Sequence, residues 1–252
     1  MIIIKNSEQI KAMRKAGRIT AEALLVAREL IRPGITTKEL DTGIRRYIEK
    51  CGAKPSFLGY GGFPGSACIS LNDEVIHGIP SSKRVLNDGD IVKIDVGAFV
   101  DGYHGDSARS FGVGNISAEA ERLIRETENS FFEAMKYAKA GNRIGDIGFA
   151  VEEYVKSKGY TVVREYVGHG VGANLHEEPE VPNHGKAGRG PRLYSGMTLA
   201  IEPMVNSGTS SVKVKKDGWT VVTADGALSA HYENSILITD GSPLILTDPD
   251  IE

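Results

Sequence analysis

The sequence predicts an α+β chain made of two pseudo-symmetric helix–helix–sheet halves, and three observations carry that expectation. Glycine is in excess, with 30 in 252 residues against an ordinary usage of about 7%. Such an excess implies many tight turns and a sheet-rich body with functional loops. Two helical patterns precede a run of strand-like segments, and the same order then begins again. Finally, short segments of the two halves align at one constant offset.

The elements follow in order. Ser7 is placed to cap a helix whose apolar positions Ile10, Met13, Ile19, Ala23, Ala27 and Leu30 recur every three to four residues, and Pro33-Gly34 stops it. Thr36 and Glu39 form a capping-box signature for a second helix through Leu40, Ile44 and Ile48, ending near Gly52. A Gly-rich stretch from Gly59 to Gly65 and strand-like segments to Val113 complete the half. Ser117 then opens a helix running to Ala140, stopped by Gly141, and another helix spans roughly Asp146 to Lys158. Strands occupy much of the chain from Tyr160 to Thr247.

The repeat is specific in position though poor in identities. Pro33-Gly-Ile-Thr-Thr-Lys-Glu-Leu40 sits opposite Ala140-Gly-Asn-Arg-Ile-Gly-Asp-Ile147, and Leu86 to Asp95 sits opposite Leu193 to Glu202. Gly34 and Gly141, like Asp95 and Glu202, are 107 positions apart. The reading is one fused domain, residues 1–252, with pseudo-repeats of about 7–115 and 117–247 and a site in the cleft between them.

Bulk properties exclude several classes. A formal net charge of −3 and a pI near 6.1 offer no basic surface for nucleic-acid readout. Cys51 and Cys68 make no disulfide framework and lack zinc-site spacing, so a reducing cytoplasm is expected. The apolar start, Met1 to Ile4, is too short for a signal peptide, and no segment reaches the roughly 20 apolar residues of a membrane span.

Chemistry concentrates in a few acidic residues set in apolar surroundings. Ile91 to Asp106 reads as a hairpin turning at Asp101-Gly102, which pairs Asp106 with Gly97 and makes Asp95 and Asp106 diagonal neighbours on one face. Two such carboxylates repel unless a cation lies between them; the alternative is a solvated pair at a hairpin edge. Glu202 lies in the apolar run Leu199 to Val205, where an uncompensated carboxylate is costly. Glu233 precedes the apolar segment Ile236 to Ile238, and His169 stands between Gly168 and Gly170. Carboxylates with one imidazole suit Mn, Fe, Co or Zn rather than Mg or Ca alone. Two ions sharing bridging carboxylates balance this much negative charge.

These segments closely resemble the type I methionine aminopeptidases, over almost the whole chain. The resemblance rests on Pro33 to Leu40, Asn72 to Pro80, Asp90 to Asp95 and Gly102 to Asp106. It continues through Gly168 to Gly172, His176-Glu-Glu-Pro179, Ile201-Glu-Pro-Met204 and Trp219 to Val222. It implies the pita-bread fold, two halves around a curved antiparallel sheet, and removal of the initiator methionine from nascent proteins whose second residue is small. Asp95 would bind one of two divalent ions (Fe(II), Mn(II), Co(II) or Zn(II)), Asp106 and Glu233 would bridge both, and His169 and Glu202 would complete the other site. In the implied mechanism a bridging hydroxide attacks the carbonyl, with Glu202 helping to deprotonate the water. His176 steadies the oxyanion, and His77 meets the leaving amide nitrogen.

The same resemblance implies a methionine pocket of Phe57, Tyr60, Phe63, Cys68, Leu175 and Trp219, an apolar, polarizable slot suited to a thioether. It implies a monovalent cation held by backbone near Asn72 and Ser229. Its partners would be nascent N-termini, with transient ribosome contact, no membrane and a monomeric chain. Gly61 and Leu175 depart from relatives that carry a histidine and an aromatic there, which bears on the pocket and not on the reaction. Two other readings use the same scaffold. One is a proline-directed peptidase of the prolidase kind, whose members usually add an N-terminal domain. The other is a non-catalytic binding protein, which would be expected to lose metal ligands.

Overall fold

The computed structural model describes residues 1–250. Helix α1 (Ser7–Leu30) is capped by Asn6 rather than by Ser7. The Asn6 side chain accepts from Gln9 N–H while the Gln9 side chain accepts from Asn6 N–H, so a complete capping box displaces the serine into the first turn. Helix α2 (Thr37–Lys50) starts at the expected box, Thr36 with Glu39. Strands β1 (Lys54–Pro55), β2 (Ala67–Leu71), β3 (Glu74–Ile76), β4 (Ile91–Val100) and β5 (Tyr103–Gly112) follow.

The hairpin of β4 and β5 has the register read from the sequence, from Val100↔Tyr103 through Gly97↔Asp106 to Ile91↔Gly112. Asp101 and Gly102 both take positive φ, 52° and 84°, which matches the right-handed twist of the flanking strands. Alternation along β4 sends Val92, Ile94, Val96, Ala98 and Val100 into the core under α1 and α2. Lys93, Asp95 and Gly97 therefore share the opposite face.

Helix α3 (Ala118–Met135) is capped by Ser117, but it ends short of the expected Ala140. Backbone N–H groups at Ala140 and Gly141 instead donate to Thr239 and Leu193, so tertiary partners take the chain out of the helix. Helix α4 spans Ile144–Ser157. The strands β6 (Thr161–Val162), β7 (Gly168–Gly170), β8 (Glu177–Val181), β9 (Thr198–Ile201) and β10 (Met204–Asn206) come next. They are followed by β11 (Val212–Val214), β12 (Val221–Thr223), β13 (Ser229–His231), β14 (Asn234–Leu237) and β15 (Leu244–Ile245).

One sheet joins β1, β4 and β2, with β5 on β4, and another runs β15-β14-β9-β7-β8. One smaller sheet, β11-β12-β3, crosses between the halves, since β3 pairs with β12, and another runs β13-β10-β6. Near the midline, Glu233 N–H donates to Ala108 O at 2.9 Å and Asp106 N–H to Ser235 Oγ at 3.0 Å.

The 107-residue offset recurs in three dimensions. Helix α2 begins at Thr37 and ends at Lys50, and α4 begins at Ile144 and ends at Ser157. Strands β4 and β9 begin at Ile91 and Thr198. The isolated bridges Thr36↔Val85 and Arg143↔Arg192 keep the same spacing, as do the bonds from Gly34 N–H to Leu86 O and from Gly141 N–H to Leu193 O.

Candidate metal centre

The five predicted ligands arrive from both halves at one place. Asp95 and Asp106 come from β4 and β5, His169 from the middle of β7, Glu202 from the end of β9, and Glu233 from the residue between Tyr232 and β14. Ligand atoms of Asp106, His169 and Glu233 all lie within 4.8 Å of one another. His169 Nε2 stands 3.7 Å from Asp106 Oδ2 and 3.6 Å from Glu202 Oε1.

The protonation of His169 follows from its neighbours. Its Nδ1 lies 2.9 Å from Gly170 O, which can only accept, so Nδ1 carries the proton. Nε2 therefore presents a lone pair to two carboxylates. Burial, with His176 adding to it, holds the imidazolium down at about 3, so the ring is neutral and cannot itself supply the missing positive charge. Asp95 Oδ1 and Asp106 Oδ1 are buried without a hydrogen-bond partner. With the carboxylates ionised only lone pairs converge here, and an array of that kind is satisfied by a divalent cation.

The carboxylates respond to the same crowding. Burial raises Asp95 to about 7. Burial first, and then neighbouring carboxylates, push Asp106, Glu202 and Glu233 well above the usual range. Four such groups cannot ionise together without a counter-charge. The residues present thus fit a divalent metal centre, and the described residues bring acceptors of the type that Mn, Fe, Co and Zn take.

The centre opens into a cavity of about 150 Å³ bordered by every site residue the sequence predicted. Phe57, Phe63, Cys68 and Leu175 form a buried apolar cluster with Trp219 packed against it. Phe63 and Trp219 meet edge to face at 5.2 Å. Cys68 is paired with Asp95 across β2 and β4, and burial pushes its thiol well up, so it acts as a small apolar wall. Gly61 has φ 55°, and a Cβ there would come within 3.3 Å of Trp219, so the expected departure at this position suits its backbone.

Two histidines flank the opening. His77 has φ 59°, sits edge-on to Tyr166 and Trp219, and burial lowers it to about 4. The His176 ring centroid is 4.1 Å from that of His169. The Tyr60 hydroxyl lies 2.7 Å from His176 Nδ1. With tyrosine as donor, Nε2 of His176 carries the ring proton and becomes a hydrogen-bond donor for a neighbouring group.

Sequence reasoning missed His231. Its Nε2 is buried without a partner and lies 3.8 Å from Glu202 Oε2. Its place two residues before Glu233 was the available signal. A second expectation is corrected here. The carbonyls of Asn72 and Ser229, around which a monovalent cation was expected, both accept from the Lys93 ammonium, at 2.7 and 3.1 Å. The Lys93 side chain lies in that position.

Residues 11–240 match the model of metallopeptidase family M24. The chain is 56% identical over 247 residues to a methionine aminopeptidase of Clostridium acetobutylicum, covering 98% of this chain and 99% of the relative. It is similar in structure to a methionine aminopeptidase from Thermotoga maritima, with TM-score 0.97 and 46% identity over 98% of this chain and 100% of that one. A prolidase from Pyrococcus furiosus matches at TM-score 0.79 and 25% identity, over 99% of this chain but 66% of the prolidase.

Proposed function

The chain belongs to metallopeptidase family M24, and we propose that its cleft removes the initiator methionine from nascent polypeptides whose second residue is small. The observation that carries this is the inward-facing set of lone pairs: His169 Nε2 beside carboxylates of Asp106 and Glu202, with buried, unpartnered oxygens on Asp95 and Asp106. Asp95, Asp106, His169, Glu202 and Glu233 would hold two divalent ions, of Fe, Mn, Co or Zn type. When bound, the ions supply Lewis-acid activation of a water and of the scissile carbonyl.

The chain's own side chains do the rest. Glu202, raised by burial, takes the proton from the attacking water. His176, with Nδ1 tied to Tyr60, donates from Nε2 to the oxygen that becomes negative. His77 meets the leaving amide nitrogen. Phe57, Tyr60, Phe63, Cys68, Leu175 and Trp219 hold the methionine side chain. The space of about 150 Å³ that they border is suited to a single side chain. The pita-bread halves would work as one catalytic domain, with pseudo-repeats 7–115 and 117–247 meeting at the site. Free Cys51 and Cys68 suit a reducing cytoplasm, and no described helix is long and apolar enough to cross a membrane.

The test pairs metal and substrate. Anaerobically purified protein is analysed for metal, then titrated with Fe(II), Mn(II), Co(II) and Zn(II) while cleavage of Met-Ala and Ala-Pro peptides is compared. Preference for Ala-Pro would overturn the methionine reading in favour of the prolidase-like one. Glu202→Ala is expected to lower kcat by about 10² to 10⁴; unchanged turnover would refute the assigned proton transfer.

A further inference from the structure

Lys93 is among the largest fully buried side chains of the molecule, at 1% exposure. An ammonium taken out of water costs several kcal/mol unless it is well paired. Its partners here are two backbone carbonyls, Asn72 O at 2.7 Å and Ser229 O at 3.1 Å. Oxygen dipoles converging on a compact charge are also how a protein holds a small hard cation.

The geometry around the ammonium is closely built. Burial lowers Lys93 to about 7 and Arg84 acts in the same sense, while Glu74, Asp73 and Asp90 act against them as nearby negative charges. Asn72 is held in a left-handed turn at φ 48° by its side chain, which donates to Asp90 at 2.8 Å and accepts from Ile91 N–H at 2.9 Å. Its carbonyl also accepts from Ser229 N–H at 3.0 Å. The junction therefore clasps three segments: β4, the β2–β3 turn of the first half, and β13 of the second. Two residues on along β4 lies Asp95. The turn leads through β3 to His77, and β13 leads through His231 to Glu233. Arg84 and Lys215 meanwhile occupy Glu74, so the lysine is left to the carbonyls.

We propose that Lys93 is a tethered monovalent cation, a positioning residue whose ammonium fills the place a free sodium or potassium ion would take between the two halves. Because the charge is covalently attached, the protein needs no monovalent ion from solution to set Asp95, His77 and Glu233 in register. Removing the side chain leaves two buried carbonyls facing a space that an ion can enter.

The test uses the full-length, metal-loaded protein at constant ionic strength in choline, sodium or potassium chloride. Both the thermal unfolding midpoint and peptide turnover are followed. The native protein is expected to be indifferent to the choice of ion. Lys93→Ala is expected to lose about tenfold in kcat/KM in choline and to unfold at lower temperature. Sodium, potassium or ethylammonium should then restore both, saturably. Lys93→Met, which refills the space with an apolar chain, should be impaired and not restored. A folded Lys93→Ala protein that ignores monovalent ions overturns the proposal. So does a saturable sodium or potassium dependence of the native protein, a result that needs neither variant to fold. The unfolding midpoint is independent of the assigned peptidase activity, so failure of one reading is distinguishable from failure of the other.

Discussion

His169 and His176 carry the chemical argument at the scale of single residues, and each is defined by the partner of its Nδ1. Gly170 O forces a proton onto Nδ1 of His169 and bares Nε2 toward the carboxylates. With Tyr60 as donor the reverse holds for His176, whose Nε2 is then a donor. The two ring centroids lie 4.1 Å apart with the planes tilted by 48°, yet the roles proposed for them are opposite, one to ligate and one to donate. Tyr60→Phe removes the orienting hydroxyl and keeps the pocket wall. It is expected to lower kcat by about five- to tenfold with KM little changed. Steady-state kinetics on a Met-Ala peptide checks this, and a change confined to KM would show that the tyrosine serves only the pocket.

Among the elements, α1 is packed so closely against the β4–β5 hairpin on one side and the segment after β15 on the other that a glycine stands at each contact. A Cβ on Gly105 of β5 would sit 2.7 Å from the Gly17 Cα of α1. A Cβ on Gly17 would meet the Leu246 carbonyl oxygen at 2.0 Å, beyond the end of β15. The helix is thus clamped between the hairpin bearing Asp95 and Asp106 and the segment after β15. Gly17→Ala must move backbone, and is expected to destabilise the fold by about 1–3 kcal/mol. Denaturant unfolding measures it; a variant as stable as the native chain would mean that this contact yields freely. The clamp was hidden in the sequence, because Gly17 merely interrupts an otherwise regular helical pattern.

Over the whole molecule, the balance of charge couples metal binding to pH. Asp95 is raised to about 7 and the other three carboxylates are raised well above their ordinary values, so without metal they hold protons in the folded state that the unfolded chain has released. By linkage the metal-free fold loses stability as pH rises through that range. His77, His169 and His231, lowered to about 4, 3 and 3, act in the opposite sense, but only below the ordinary histidine value near 6.5. The carboxylates decide between about pH 6.5 and 7, above the histidine range and below that of Lys93, which burial lowers to about 7 and which acts in the opposite sense above that value. Chelated protein is expected to unfold at lower temperature across that interval, while metal-loaded protein does not. Calorimetric titration with metal at pH 6, in buffers of different ionisation enthalpy, should show protons released from carboxylates and none from His169. Absence of proton release at pH 6 would contradict the assigned charge states.

Much of this was legible in the chain itself. Local chemistry determined the α2 capping box, the Asp101-Gly102 turn and the hairpin register that sets Asp95 beside Asp106, because short-range hydrogen bonding and strand alternation act within a few residues. The 107-residue offset likewise announced two matching halves. Other features depend on contacts between residues far apart in sequence. Ala140 and Gly141 leave the expected helix because Thr239 and Leu193 accept their N–H groups. His231 reaches Glu202 only when β13 and β9 are assembled. Lys93 was silent as one polar residue in an apolar strand. Only the tertiary structure decided that its ammonium, and not a free ion, lies between Asn72 and Ser229, because burial of a charge takes its meaning from the oxygens that close around it.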